Sequence, residues 1–259
     1  MIPLLPGPAF LPQLPDLLSQ NQEFAALQPI TPENVAAVCR HGYMPMSFGS
    51  ERPEILLIKC HRERMVLELP DLHVPRNVPR YARGLTVHVD GDLPTVLIQL
   101  GRYHEKSWIS PVLAEAFQTL HTRPIDGVSI HSIEVYDPTE PDEAPPVAAE
   151  IGYAVGDVYT SLTGYHTRNG SGWVQMVALG RLLQDCSAAF WDLGMDIPYK
   201  RRLGARPMER TAFVRRYQTA TNGVDPSPEP SGGGSSQGWT GLLQVRGPFW
   251  AVELVSRRP

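Results

Sequence analysis

Residues 127–165 read GVSIHSIEVY, then DPTEPDEAPP, then VAAEIGYAVGDVYTSLTGY. The first and last parts are rich in β-branched and aromatic residues, in runs as long as a strand. The middle ten residues are too polar and too rich in proline to be anything but a loop. A second turn at residues 155–157 divides the last part. The stretch therefore predicts three consecutive antiparallel strands, an arrangement expected at the centre of an α+β domain.

The composition predicts a soluble protein of ordinary hydrophobicity. A chain of 259 residues is long enough for one domain of about 200 residues or for two smaller ones. No apolar run approaches the roughly 20 residues needed to span a membrane, and the apolar N-terminus lacks the basic region of a signal peptide. The cysteines, Cys39, Cys60 and Cys186, form no CxxC pair, which predicts a reducing compartment and no zinc ribbon. We therefore expect a cytoplasmic protein with no membrane partner.

The chain divides by composition into five segments. Helices are predicted to begin at the N-caps Thr31 and Ser110, each followed by Pro at the first helical position. Residues 43–54 are predicted to be a loop. The predicted segments are a Pro-rich surface arm at 1–30, a small N-terminal domain at 31–100, the main domain at 101–218, a flexible Gly/Ser/Pro linker at 219–238 and, at 239–259, a strand-like segment that pairs with the sheet edge.

Several motifs follow one another along residues 31–216. The most specific are SWI at 107–109 and HSIEVY at 131–136, with AF at 116–117 and His121 between them. They resemble T-W-I, A-Y-x-x-L-H and H-S-[IV]-E in the leucyl/phenylalanyl-tRNA–protein transferase family. Weaker similarities are GYMPM at 42–46, CHRERMVL at 60–67, LHVPRN at 72–77, GYAVG at 152–156, NGS at 169–171 and LGA at 203–205 with Arg210. The chain is identified as a divergent member of that family.

The resemblance implies both a fold and a reaction. The implied fold is an acetyltransferase-like (GNAT-type) α+β domain at 101–218, with a mixed or antiparallel sheet and flanking helices, behind a small N-terminal domain. The implied reaction moves an amino acid of the Leu or Phe type from a charged tRNA to a protein N-terminus, which marks the protein for degradation. The expected partners are charged tRNA and a protein or peptide N-terminus. Aminoacyl-tRNA is the co-substrate, no cofactor or metal is expected, and the protein is expected to act as a monomer.

Three residues are candidates for the chemistry that the resemblance implies. Asp192 matches the acidic residue of the family's catalytic segment and would orient or deprotonate the attacking amine. Ser132 and Glu134 alternate on the HSIEVY strand, so both side chains would point to the same side. Two structural interpretations stay open: Asp192 as the cap of a turn, and Glu134 as the buried partner of an arginine.

Eight residues are candidates for substrate binding. Trp108 would stack on the terminal adenine of the tRNA, since every base offers a π-face. Tyr159 and Thr160 begin the segment that matches the family's acceptor pocket. The alternatives are core packing for these residues and a solvated face for the basic ones, which the net charge of −4 favours. The arginines expected to contact phosphates of the acceptor stem are Arg64, Arg76, Arg80, Arg201 and Arg202.

Two positions depart from the family pattern and keep other functions open. Leu162 stands where the family has a glutamate, and Gly194 replaces a glutamine near Asp192. One alternative is an acyltransferase that uses another donor such as acyl-CoA, whose pyrophosphate the glycines of residues 168–172 would cradle. The other is a catalytically inactive relative that binds tRNA or N-terminal peptides.

Overall fold

A computed structural model describes residues 2–19, 21–48, 54–105, 107–221 and 248–256. Its main feature is a mixed sheet of eight strands flanked by helices, so the prediction of an α+β fold is confirmed. The strands of the described chain are β1 (Phe24–Leu27), β2 (Met44–Phe48), β3 (Ile55–Lys59), β4 (Glu63–Leu67), β5 (Thr86–Val89), β6 (Val128–Tyr136), β7 (Ala148–Val155), β8 (Val158–His166), β9 (Phe190–Asp192), β10 (Arg206–Glu209) and β11 (Phe249–Trp250).

The helices begin where the capping signals predict them. The Thr31 and Ser110 hydroxyls accept hydrogen bonds from backbone amides three residues ahead. The helices of the described chain are α1 (Leu14–Leu17), α2 (Pro32–Arg40), α3 (Val78–Tyr81), α4 (Leu93–Tyr103), α5 (Pro111–Thr122), α6 (Ser171–Asp185), α7 (Pro198–Arg202), α8 (Arg210–Thr221) and α9 (Ala251–Val255), with 3-10 turns at Pro8–Gln13 and Leu69–Asp71.

The predicted meander forms the centre of the large sheet, whose order is β10-β4-β9-β8-β7-β6-β5-β11. Strands β6, β7 and β8 pair in antiparallel fashion, and every residue of β7 is buried. The turn between β7 and β8 contains Gly156 at a φ of 53°, a left-handed conformation that favours glycine. The prediction of three strands joined by a polar loop and a tight turn is confirmed.

Strands β8 and β9 pair in parallel, whereas the other described strand pairs of this sheet are antiparallel. The crossover between them is helix α6, as a parallel connection requires. Strand β9 ends at Asp192, opposite Thr160, while β8 continues to His166. The second half of β8 therefore runs past the end of β9, and a crevice opens between the strand and α6.

A smaller sheet of order β1-β3-β2 precedes the large one. The prediction of a loop at residues 43–54 is wrong for its first part, because β2 pairs with β3. Strand β2 contains Pro45, but it is an edge strand, where proline is tolerated. The predicted surface arm also contributes to the core: Leu11 and Leu14 are fully buried, and β1 pairs with β3. The division into separate domains stays a prediction.

The last described segment returns to the sheet edge. Phe249 and Trp250 pair with β5 as the predicted edge strand, although the chain then forms α9 rather than more strand. Helix α9 packs against α6 and buries Ala251, Leu254 and Val255. Of the predicted linker, residues 219–221 belong to α8, and the rest lies outside the described residues.

Candidate functional site

The crevice beside β8 is shaped by an irregularity in its pairing with β7. The register shifts between Ile151 and Gly152, so that Leu162 becomes an extra residue of β8. Glycine is required at position 152, because a Cβ there would lie 2.4 Å from the hydroxyl oxygen of Tyr159. The bulge bends β8 at the point where its parallel neighbour ends. Bulges often re-aim side chains next to active sites, and here the bulged residue lines a cavity.

This cavity has a volume of about 490 Å³ and is called the β8 cavity below. It lies outside the carboxyl end of β9, the place where sheets with parallel strands commonly bind ligands. Its walls are the second half of β8, the first turns of α6 and the segment that follows β9. The polar side chains that line it are those of Glu150, Ser161, Thr163, His166, Asn169, Gln175, Lys200 and Arg202.

Glu150 contributes a buried carboxylate to the β8 cavity from the neighbouring strand β7. Its Oε1 accepts hydrogen bonds from Oγ of Ser161 at 2.8 Å and from the hydroxyl of Tyr159 at 3.2 Å. Nε1 of Trp191 in turn donates to the Ser161 hydroxyl at 2.9 Å. Burial raises the pKa of Glu150 to about 7, although these hydrogen bonds favour the charged form. The group therefore changes its protonation state close to neutral pH.

Gln175 lies near the start of α6 and lines the same cavity. Its side chain is buried next to the Glu150 carboxylate, and the interaction between them favours the charged form of Glu150. Gln175 therefore helps to hold this carboxylate in place from the helix side of the cavity.

Lys200 fixes the segment that closes the other side of the β8 cavity. Its buried ammonium donates to the carbonyl oxygens of Leu193 and Met195, the latter at 3.0 Å. Burial lowers the pKa of Lys200 to about 8. The side chain thus stabilises the turn after β9, and its charge partly balances that of Glu150.

Asp192 is fully buried at the end of β9 and is paired with Arg64 of β4. Both carboxylate oxygens take hydrogen bonds from the guanidinium, and further ones come from the Thr160 hydroxyl at 3.0 Å and the Gly194 amide at 2.9 Å. Asp192 therefore does cap a turn, as the structural interpretation held. Because its oxygens are occupied and shielded from solvent, the geometry favours a positioning role. Its predicted role in catalysis stays a prediction.

Arg64 is held on its other side by His61. Nδ1 of His61 lies 2.8 Å from the guanidinium, and burial together with the charge of Arg64 lowers the pKa of His61 strongly. The histidine is therefore neutral and accepts the hydrogen bond. With its side chain only 2% exposed, Arg64 is shielded from tRNA phosphates, unlike the other arginines that the sequence suggested for that task.

Ser132 and Glu134 point to the same side of β6, as predicted, with the Ser132 hydroxyl 2.5 Å from Oε1 of Glu134. The carboxylate of Glu134 also accepts from the backbone amides of Gly91 and Asp92, in the turn that precedes α4. The hydrogen-bond partners of Glu134 are therefore a serine and two backbone amides, where the structural interpretation expected an arginine. Burial raises the pKa of Glu134 to about 7. Neither residue lines the β8 cavity; the pair anchors α4 to the sheet, and its predicted catalytic role stays a prediction.

The structure buries, fully or in part, three residues that the sequence suggested for substrate binding: Trp108, Tyr159 and Thr160. Trp108 is half-buried and packs its ring edge-on against Phe117, with 6.5 Å between ring centroids. Tyr159 is fully buried, and its hydroxyl donates a hydrogen bond to Glu150, which lines the β8 cavity. Thr160 is buried and donates to Asp192. Their predicted roles in tRNA and acceptor binding stay predictions.

Exposed arginines from two separate parts of the chain lie near the start of α6. The Arg80 guanidinium lies 5.3 Å from the ring of Tyr81, which packs against Gly170 at the N-terminus of that helix. From the other side, the Arg202 guanidinium lies 5.1 Å from the ring of Trp173, in the first turn. The sequence alone could not show that these groups converge. Arg76 and Arg201 are also exposed, and Arg201 forms an ion pair with Asp196.

Sequence reasoning missed Glu150 and Gln175. The family motif has its carboxylate at position 162, where this chain has leucine, and Glu150 resembles an ordinary strand residue. One signal was present: a glutamate in a run as apolar as VAAEIGY is unusual, because carboxylates are almost never fully buried without partners. Gln175 had no comparable signal, since one glutamine on a helix is unremarkable.

Comparison with known proteins shows the family to which this chain belongs. A family model described as leucyl/phenylalanyl-tRNA protein transferase matches residues 66–218, a span that includes every residue lining the β8 cavity. The chain belongs to this family, whose members are aminoacyltransferases. The prediction that the chain is a divergent member of this family is confirmed.

Two relatives bear the same family name. The leucyl/phenylalanyl-tRNA–protein transferase of Rubrobacter xylanophilus is 29% identical over 195 residues, which cover 74% of this chain and 95% of that protein. The protein of Xylella fastidiosa is 27% identical over 226 residues, which cover 84% and 88%. Among solved structures, FemX is similar at 10% identity with a TM-score of 0.43, over 78% of this chain and 74% of FemX.

No described helix is long and apolar enough to cross a membrane. Within the same residues, no group of three or more His, Cys, Asp and Glu side chains is arranged to hold a metal ion. The expectation of no cofactor stays a prediction.

Proposed function

We propose that this protein transfers an amino acid from a charged tRNA to the N-terminus of a protein. The observation that carries the proposal is that the family match covers both strands of the parallel pair, the crossover helix and the whole lining of the β8 cavity. The finer fold assignment is the acetyltransferase-like (GNAT-type) domain at residues 101–218. The parallel pair β8–β9, the crossover α6 and the bulge in β8 support it.

The reaction requires positioning more than powerful chemistry. The amine nitrogen of the acceptor attacks the ester carbonyl of the aminoacyl-tRNA, a new C–N bond forms, and the ester C–O bond breaks. The amine loses a proton and the ribose oxygen leaves with one, so the reaction balances without an oxidant or a metal. Holding the two reactants in line is worth about 7–11 kcal/mol. An N-terminal amine has a pKa near 8, so a usable fraction is already neutral at physiological pH.

Asp192 acts in this proposal as a positioning residue. It links the Thr160 hydroxyl on β8, the Arg64 guanidinium on β4 and the Gly194 amide after β9. These contacts set the backbone that borders the carboxyl end of the parallel pair. Catalytic geometry has to be held within a few tenths of an ångström, and buried hydrogen-bonded groups behind a site provide that rigidity.

The tRNA end is proposed to approach over the start of α6. The exposed guanidinium groups of Arg80 and Arg202 lie near this helix terminus, and the N-terminal end of a helix carries a partial positive charge. Phosphates are attracted to such a place. The exposed Arg76 and Arg201 extend the surface, and the half-buried Trp108 would supply a stacking contact. We also propose that the protein works as a cytoplasmic monomer, without a cofactor besides its tRNA co-substrate.

The decisive experiment is a transfer assay with purified protein. Total tRNA is charged with a mixture of radiolabelled amino acids and incubated with model proteins that begin with Arg, Lys, Asp or Met. Label covalently attached to the acceptor N-terminus, and absent when the tRNA is uncharged or the acceptor N-terminus is acetylated, supports the proposal. Label transfer from acyl-CoA instead would favour the other acyltransferase. Binding of tRNA without transfer to any acceptor would indicate an inactive relative.

A further inference from the structure

Glu150 is the only carboxylate among the described residues that line the β8 cavity. Around it lie the apolar side chains of Leu162, Met176 and Leu193 and several aromatic rings. Because such surroundings hold little water, a carboxylate there attracts a cationic group more strongly than it would at the surface. The ammonium group of a polypeptide N-terminus is a cation of this kind, and it is one of the two reacting groups in the proposed transfer.

The Glu150 carboxylate is held in place by donors from two elements. The hydroxyls of Tyr159 and Ser161, both on β8, donate to its Oε1. From α6, the Gln175 side chain also favours the charged form of the carboxylate. A carboxylate accepts up to about four hydrogen bonds, so these three donors leave room for a ligand. The group is therefore oriented before a substrate arrives, as proton transfer in an active site requires.

The other titratable groups near the cavity are less suited to take a proton. Asp192 does not line the cavity, and both its oxygens already accept hydrogen bonds. The Lys200 ammonium already carries its proton and donates to two backbone carbonyls. His166 lines the cavity but is exposed to solvent. Glu150 is the buried group that can accept.

We propose that Glu150 is a catalytic residue of this protein and takes a proton from the N-terminal ammonium group of the acceptor. The inference rests on the proposed transferase function. One proton passes from the ammonium nitrogen to the carboxylate, and the freed lone pair attacks the ester carbonyl carbon. The C–N bond forms, the ester C–O bond breaks, and the ribose oxygen leaves with a second proton from the nitrogen. Glu150 then returns the first proton to water.

Two properties of the site support this assignment. Burial raises the pKa of Glu150 to about 7, and the pKa of an N-terminal amine lies near 8. Proton transfer between them is therefore unfavourable by only about tenfold, and a base whose pKa is close to the working pH is the most effective. In addition, Leu162, where the family has a glutamate, lines the same cavity. This chain thus supplies its carboxylate from β7 instead of β8.

The first test is the pH dependence of transfer. In the wild type, kcat/KM should fall below about pH 7, where Glu150 is protonated, and above about pH 8, where the acceptor is no longer an ammonium ion. Glu150→Gln should be at least about 100-fold slower at pH 7, and its rate should rise up to about pH 8 and then stay level, because only the acceptor amine titrates. Glu115→Gln, the same change at an exposed position of α5, should keep the wild-type profile. An unchanged rate in Glu150→Gln, or a fall on both sides that is kept there and lost in His166→Ala, would overturn the inference.

Leu162 allows a rescue that a purely structural role of Glu150 would not show. Leu162→Glu in the Glu150→Gln protein restores a carboxylate to the same cavity from the neighbouring strand. We expect kcat/KM to recover by at least about tenfold and to fall again at low pH. Leu162→Gln in the same background adds an uncharged side chain of equal size and should recover nothing. Equal recovery with Glu and Gln, or recovery with neither, would overturn the inference. If a double variant does not fold, the pH profiles of the single variants decide.

A binding measurement separates this inference from the function on which it rests. The glutamate carboxyl carbons are labelled with carbon-13, the Glu150 signal is assigned with Glu150→Gln, and its pKa is followed by NMR. A saturating peptide with a free N-terminus should lower the pKa of Glu150 by at least about one pH unit, because a neighbouring ammonium favours the charged form. The same peptide with an acetylated N-terminus should not. This difference supports the contact even if the transfer assay fails, whereas equal pKa values with both peptides overturn the inference.

Discussion

Arg64 and Asp192 lie 128 residues apart in the chain and form a two-point ion pair whose side chains are only 2% and 0% exposed. The pair joins β4 to β9 at the end of the parallel strand pair. Attraction between buried charges rarely exceeds the cost of removing both from water. Its value therefore lies in specifying one arrangement of the strands and of the turn after Asp192.

The first prediction is that Asp192→Asn destabilises the protein by about 3–5 kcal/mol, because the Arg64 guanidinium would stay buried without a counter-charge. The measurement is urea unfolding followed by circular dichroism. A double variant, Arg64→Met with Asp192→Leu, removes both charges and should recover part of the lost stability. If Asp192→Asn is as stable as the wild type, water or structural relaxation must compensate for the unpaired charge of Arg64. If it also transfers at the wild-type rate, the positioning role would be excluded.

The second prediction concerns pH. Burial raises the pKa of Glu150 to about 7, above the ordinary value of 4.5, so the folded protein binds more protons than the unfolded chain between these values. The contribution of Glu150 to stability is therefore fully favourable at low pH and is lost as the pH rises toward 7. Glu150→Gln should gain stability relative to the wild type by up to about 3 kcal/mol between pH 5 and pH 8.

Comparing the two proteins isolates this group, because Glu134, whose pKa burial also raises to about 7, is present in both. The free energy of unfolding is measured at several pH values at constant ionic strength. A stability difference between Glu150→Gln and the wild type that does not vary with pH would mean that Glu150 titrates normally in the folded protein.

Much of the fold could be predicted because its signals are local. The strands on both sides of residues 155–157 follow from runs of β-branched and aromatic residues, and two helices follow from the caps Thr31 and Ser110. The exception is instructive: the β2 segment contains Pro45 and reads as a loop, yet it forms an edge strand. A proline is tolerated there because β2 lies at the edge of its sheet. The order of strands depends on long-range contacts, which the local sequence does not show.

The candidate site was less predictable because long-range contacts create it. The β8 cavity exists because β9 is short and β8 bulges at Leu162, and neither feature has a sequence signal. The family motif indicates a lost carboxylate at Leu162, whereas the structure shows that β7 contributes Glu150 to the same cavity. The Arg64–Asp192 pair was equally hidden, since each partner looked like a candidate for a separate task.

The third prediction concerns the arginines at the start of α6. Arg80→Ala and Arg202→Ala should each weaken tRNA binding. In the double variant, the slope of log affinity against log salt concentration should become less negative by about 1–2, as expected for lost phosphate contacts. Filter binding at several salt concentrations measures this. Arg123→Ala, an exposed position at the end of α5, is the control. Salt dependence that is unchanged in the double variant would place the tRNA elsewhere.

The last prediction concerns the C-terminal segment. Ala251, Leu254 and Val255 of α9 are buried, and the helix packs against α6, the wall of the β8 cavity. Burying a Leu and a Val side chain stabilises a fold by about 3–6 kcal/mol, which is an upper estimate. A chain that ends after Thr221 should therefore melt lower by at least about 5 °C.

Replacing residues 222–247 with a Gly/Ser segment of equal length keeps α9 and should leave the melting temperature nearly unchanged, as the composition of the predicted linker implies. Scanning calorimetry of the three proteins decides the matter. Equal melting temperatures for the truncated and complete chains would mean that α9 adds nothing to the core. An equally low temperature for the replaced chain would show that residues 222–247 themselves contribute to the fold.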